Sequence, residues 1–219
     1  MHDVSSCPTA THNSQGAHLK IDTVHVASGI ELVPTRTAHA AQLAALVQGN
    51  TDHLQRYLPQ VNGLASVEAA EEHLAYASEA ALEGELLEWH IFEGERLCGA
   101  VRINHIEQGN HKAAIGYYLG AEHQGKGLAT SSVHAALGYC FEKLGFNRIE
   151  LKCASTNAGS AQVARRLGFS REGRLRQAEY LNGEYVDHIL YALLRQDFRP
   201  LKATMAADAG GTANKSGAT

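Results

Sequence analysis

Residues 112–130 read KAAIGYYLGAEHQGKGLAT, and the order of properties along this stretch decides the fold. Residues 113–119 (AAIGYYL) predict a strand, and Gln124-Gly125-Lys126-Gly127-Leu128-Ala129 follows as a glycine loop. A helix is expected from about Gly127 to Leu144, because Val133, Leu137, Phe141 and Leu144 recur at i, i+4, i+8 and i+11 and Gly145 can close it. Strand, glycine loop and helix in this order make an anion site. The glycines let the backbone approach a ligand, and the free N–H groups of the first helical turn, with the helix dipole, can hold a pyrophosphate. Two nucleotide readings fit poorly. Gly120 through Lys126 follows a P-loop until Gly127 stands where a magnesium-binding hydroxyl is required. A dinucleotide fingerprint fails at Thr130, which occupies the third glycine position, and Glu150 lies near the start of the next strand instead of its end.

Downstream, Arg148–Ala154 reads as a strand, Ser160–Leu167 as a short helix closed by Gly168, and Leu175–Leu181 with Glu184–Leu194 as a hairpin around Asn182-Gly183. Upstream, Gly29–Arg36 reads as a first strand, followed by helices at about 38–48, 51–57 and 66–82, the last begun by Ser66 with Glu68 and Glu71. Leu87, Trp89 and Ile91 alternate with Glu88, His90 and Phe92. A turn at 93–95 and the run Leu97–Ile106 complete a second hairpin. The pattern predicts an α/β (α+β) domain over 29–198 whose sheet is mixed, with six to seven strands and about four helices. Residues 1–28 and 199–219 are expected to be disordered tails, being small and polar without a sustained period.

A length of 219 residues suits one domain with tails. The formal charge of −4 argues against a basic nucleic-acid binder and gives no general attraction to anionic lipid. No run reaches the roughly 18 apolar residues of a membrane span, and the first 28 residues lack a leader's basic start and apolar region, so a cytoplasmic protein is expected. Cys7, Cys98, Cys140 and Cys153 form no C-x-x-C pair, and the 13 histidines form no H-E-x-x-H. Glu72-His73 and His188 read as surface or packing residues, and no metal is expected.

Gln124, Gly127 and Ala129 fit the pattern [R/Q]-x-x-G-x-[G/A], and here the chain resembles the GNAT acetyltransferase superfamily, whose loop grips the acetyl-CoA pyrophosphate. Asn157, Ser160, Val163, Gly168 and Phe169 are similar to that superfamily's N-x-x-S-x-x-V-x-x-x-x-G-F segment. Residues 177–185 (QAEYLNGEY), continuing to Asp187 and Tyr191, resemble the closing hairpin of the RimJ/RimL group, especially RimL-like ribosomal-protein-serine N-acetyltransferases. Residues 112–119 and 149–153 are similar as well. The resemblance covers about 29–198, with 50–90 divergent.

The resemblance implies a GNAT fold with a mostly antiparallel twisted sheet. It implies acetyl-CoA as cosubstrate, no metal, and a homodimer. The acceptor it implies is a primary amine, the N-terminal α-amine of a ribosomal protein. The alternative is a small amine (aminoglycoside, polyamine, aminoacyl conjugate or peptide antibiotic) or a succinyl-CoA donor, and a CoA-sensing module without turnover is a further class. The cofactor residues it implies are Tyr117, Tyr118, Leu119, Gln124, Gly125, Lys126, Gly127, Leu128, Ala129, Thr130, Asn157 and Ser160.

Direct acyl transfer needs a neutral amine, an oxyanion donor and a proton for the departing thiolate. Glu179 is the candidate base. Strand periodicity puts it on one side with Leu175, Gln177 and Leu181, where partial burial would favour a base; its other reading is a solvated hairpin acid, with Glu184 and Asp187 as fallbacks. Ser160 either donates to the thiolate or caps its helix, and Asn157 either meets the pantetheine or caps. Tyr117 and Tyr118 either present backbone groups to the cofactor or pack in the core. Cys153, inside an apolar strand, reads as packing.

Overall fold

The computed structural model describes residues 21–201. Its strands are β1 (Val24–Ala27), β2 (Ile30–Pro34), β3 (Leu87–Glu93), β4 (Arg96–Glu107), β5 (Lys112–Leu119), β6 (Arg148–Ala154), β7 (Ser170–Leu181) and β8 (Glu184–Leu194). They form one sheet in the order β1-β2-β3-β4-β5-β6-β8-β7. Every neighbouring pair is antiparallel except β5 and β6. A parallel pair needs a crossover, and α4 (Leu128–Glu142) supplies it.

The eight strands among the described residues exceed the six to seven expected. The addition is β1, which lies inside the segment read as an N-terminal tail and pairs with β2 through Val24↔Leu32 and His25↔Glu31. Four residues are too few to display a period of two, but Val24 and Val26 pack on the core and Trp89 Nε1 donates to the Asp22 carbonyl at 2.9 Å. The rest of the expected N-terminal tail, 1–20, and the stretch 202–219 lie outside the described residues.

The remaining helices are α1 (Ala40–Gln48), α2 (Thr51–Gln55), α3 (Val67–Leu82) and α5 (Ala158–Arg166). Ser66 caps α3 by accepting from the Ala69 N–H. One face of the sheet carries Leu87, Trp89, Ile91, Val101, Ile103 and Ile115 against Val133, Leu137 and Phe141 of α4 and Ala164 of α5. On the other face, Leu43, Ala44 and Val47 of α1 pack against Ala70 and Leu74 of α3, with Tyr118 of β5 beneath them.

This second helical layer explains why β3 is buried on both sides from Leu87 to Phe92. An alternating strand ordinarily turns its polar side to water. Here Glu88 is 4% exposed, takes Arg102 Nε at 2.5 Å and lies 3.3 Å from His73 Nε2. Burial alone would raise the Glu88 carboxyl, but the His73 hydrogen bond and the Arg102 charge outweigh it and hold the group at about 2.

His90 is fully buried, with Nδ1 3.0 Å from His39 Nδ1. Burial, only partly opposed by Glu88, pushes it down to about 4. The unfolded imidazole titrates near 6.5, so between pH 6.5 and 4 the unfolded chain binds the extra proton and stability falls with pH, by about 3 kcal/mol at pH 4. The Glu88 contribution is present above about pH 4.5 and is lost only below it, toward pH 2. Thermal melts between pH 7 and 4.5 should therefore show a declining midpoint, and His90→Gln should flatten that decline by more than half. An unchanged slope in the variant would remove His90 as its source.

Candidate active site

The pairing of β5 with β6 stops early. Their register covers only Lys112↔Arg148, Ala113↔Ile149 and Ala114↔Glu150, after which each strand continues with its other neighbour alone. Residues 115–119 and 151–154 therefore face each other across an open wedge with unpaired backbone groups along both edges. A glycine at 116 adds no bulk there, since a Cβ at that position would meet nothing within 4 Å.

At the mouth of the wedge, β5 runs into the 3-10 turn Ala121–His123 and then the glycine loop. Gly125 and Gly127 have φ of +75° and +78°, a region that favours glycine, so these residues let the loop take its shape without strain. Gly127 is the N-cap of α4, and no side chain caps the helix. The first intrahelical bond comes from Ser131 N–H to the Gly127 carbonyl, which leaves the N–H groups of Leu128, Ala129 and Thr130 without an acceptor in the helix. The side chains of Leu128 and Thr130 are buried, so only their backbone can serve an anion. Gln124 Nε2 lies 2.9 Å from His53 Nε2, and Asn50 Oδ1 accepts from Ala121 N–H at 2.7 Å, tying the α1–α2 junction to the loop's entry.

Across the wedge, Asn157 caps α5 by accepting from Ser160 N–H at 3.0 Å. Ser160 is thereby freed from capping, and its Oγ accepts from Tyr117 Oη at 3.3 Å. Burial pushes the Tyr117 phenol up to about 12, which keeps it a neutral donor. Tyr118 points to the opposite face, under α1 and α3, and Leu119 is core, so only the backbone of these two borders the wedge. Cys153 contacts Ser160, and burial raises its thiol despite that contact.

Glu179 keeps a third of its side chain exposed and places Oε2 2.9 Å from His188 Nε2. His188 opposes Ala154, the last residue of β6, which sets the pair beside the wedge's end. The alternation expected from Leu175 through Leu181 does not hold. β7 bulges between Leu175↔His188 and Glu179↔Val186, with Gln177 at φ +50°. Asp187 pins the bulge: its Oδ1 accepts from Gln177 N–H at 2.7 Å and its other oxygen binds Arg174. Those two partners, the Gln177 N–H and Arg174, hold the Asp187 carboxyl low. Glu184 sits exposed at the far end of the hairpin.

The uncapped start of α4 lies beside a parallel pair that splays apart, and the acetyltransferase (GNAT) domain matches residues 30–170. The chain belongs to the GNAT acetyltransferases. It is 33% identical over 171 residues to the ribosomal-protein-serine acetyltransferase of Escherichia coli, covering 78% of this chain and 96% of that one. It is 32% identical over 165 residues to the putative ribosomal N-acetyltransferase YdaF of Bacillus subtilis, covering 73% and 87%. Among solved structures, RimL, a ribosomal L7/L12 α-N-protein acetyltransferase in complex with coenzyme A and a CoA–cysteine disulfide, superposes with a TM-score of 0.75. That pair shares 32% identity over 78% of this chain and 97% of RimL.

As a GNAT enzyme the chain is an acyl-CoA-dependent N-acetyltransferase, and several of its site contacts escape sequence reading. His188 reads as surface or packing, yet it orients Glu179. His53 and Asn50 lie in or beside the divergent region and carry no motif. Tyr57 Oη donates to the Thr156 carbonyl at 3.0 Å and Asn182 Nδ2 to the Gln55 carbonyl at 3.0 Å, which seats α2 over the rim of the wedge. Only the fold reveals these pairs, separated by 99 and 127 positions.

Proposed function

We propose that the enzyme transfers acetyl from acetyl-CoA to the N-terminal α-amine of a protein, a ribosomal protein first among candidates. The observation that carries this reading is the wedge, with the Tyr117–Ser160 contact on one side and Glu179–His188 at its end. The N–H groups of 128–130 hold the pyrophosphate. The wedge edges pair with the pantetheine amides, and a β5 backbone N–H receives the oxyanion. Glu179, oriented by His188, takes the ammonium proton directly or through water. An α-amine ordinarily titrates near 7.7–8.0, so it asks only for a modest base. The amine nitrogen attacks the thioester carbonyl and, as the tetrahedral intermediate collapses, the C–S bond breaks, the nitrogen gives its second proton to solvent, and the thiolate takes a proton through Ser160 and Tyr117, which solvent restores.

We also infer a cytoplasmic location, supported by Cys98, Cys140 and Cys153 being buried free thiols.

The test is free-thiol release from acetyl-CoA, with succinyl-CoA as control, against peptides beginning with Ser, Ala or Met and against aminoglycosides, polyamines and amino-acid amides. α-Acetylation of Ser-initial peptides is the expected result. Turnover confined to small amines would discard the protein acceptor. Ser160→Ala should lower kcat roughly 10- to 100-fold, the worth of one hydrogen bond to a developing charge, without changing KM for acetyl-CoA. Tyr117→Phe added to it should cost little more, since the two groups form one relay.

A further inference from the structure

Three side chains outside the acetyl-transfer machinery meet beneath the loop's entry. Glu93 is the last residue of β3, Cys98 lies in β4, and His123 ends the 3-10 turn before Gln124. One donor atom from each lies within 4.8 Å of the other two. Cys98 is fully buried and His123 is 2% exposed. Neither ring nitrogen of His123 has a hydrogen-bond partner. The nearest carboxylates stand off, Glu93 Oε2 at 3.9 Å from Nδ1 and Glu122 Oε1 at 3.6 Å from Nε2. A buried imidazole with both nitrogens unsatisfied is rare in folded proteins, and a metal ion is one of its ordinary explanations.

We propose that Glu93, Cys98 and His123 form a zinc(II) site, with a water completing the shell on the Glu93 side. Thiolate, imidazole and carboxylate together suit zinc better than magnesium or calcium, which take oxygen donors alone. Bonds of about 2.0–2.3 Å to a tetrahedral zinc put ligand atoms roughly 3.5 Å apart, so the cluster must contract by about an ångström. The Glu93 side chain, 55% exposed, is free to supply that movement. On binding, the Cys98 thiol gives its proton to solvent and its sulfur to the metal, the imidazole donates a lone pair, and zinc keeps its oxidation state. No spacing in the sequence announces the site, because its ligands come from three separate elements. Its role is a brace. It would join the β3–β4 turn to the turn that leads directly into Gln124 and the pyrophosphate loop, apart from the transfer chemistry itself.

The test uses the full chain without a histidine tag, stripped by chelator and titrated with cobalt(II). One equivalent should produce a thiolate-to-cobalt charge-transfer band in the near ultraviolet and intense tetrahedral bands in the visible. Zinc should displace the cobalt and, at about 100 times its Kd, raise the melting temperature by several degrees. Cys98→Ser should lose the charge-transfer band, and Cys7→Ser should keep it. Glu93→Gln, at an exposed position, should weaken both metals by roughly tenfold or more with an unchanged far-ultraviolet spectrum. Absence of the band, its survival in Cys98→Ser or its loss in Cys7→Ser would overturn the proposal.

Discussion

Gly127→Glu is expected to abolish acetyl-CoA binding while the enzyme remains folded. A Cβ at Gly127 meets nothing within 4 Å, so the new side chain projects into the open space in front of the α4 N–H groups. It brings a negative charge to the proposed pyrophosphate site, and like charges in contact cost several kcal/mol, roughly 10²- to 10³-fold in affinity. The backbone is strained as well, since φ of +78° disfavours any L side chain by about 1–2 kcal/mol. Gly127→Ala separates the two effects, because it carries the strain without the charge. Calorimetric titration with CoA should show measurable binding for the alanine variant and none for the glutamate variant. Equal losses in both would mean that loop shape, and not the anion site, is what the glycine protects.

Glu179→Gln is expected to lower kcat by roughly 10²- to 10⁴-fold, the range for a positioned general base, with acetyl-CoA affinity nearly unchanged. Glutamine keeps the volume and can still meet His188 Nε2, so the hairpin should hold its shape. If Glu179 is the base, raising the pH should recover part of the loss, because the acceptor amine then deprotonates unaided. Normal turnover in the variant would end the assignment, and a loss that appeared in KM for the acceptor alone would make Glu179 a binding residue.

The loop is legible in the sequence because its requirements are local. Gly125, Gly127 and the apolar period of α4 are properties of neighbouring residues, and β6 falls at the bounds its composition implies, Arg148–Ala154. Legibility ends where distant segments decide. β1 is too short to show a period, and its place depends on the edge that β2 offers. Glu179 stands out through the RimL-like hairpin, whereas the alternation argument for it fails at Gln177, whose left-handed backbone answers to Asp187 ten residues away. His188, His53 and Asn50 acquire roles only through contacts across the fold. The same holds for Glu93, Cys98 and His123, which share no motif and meet only because β4 and the turn after β5 run side by side.

The bulge in β7 also bears on how the protein keeps to itself. β7 is a twelve-residue strand at the rim of the sheet, and an unprotected rim of that length would template the addition of another chain. Gln177 turns the backbone out of register midway, and Arg171, Arg174 and Arg176 line the strand with charge. The same kink that breaks the pairing between Leu175 and Glu179 thus makes the rim a poor template for an intruding strand. Straightening it, for example by Asp187→Ala, would cost solubility as well as turnover.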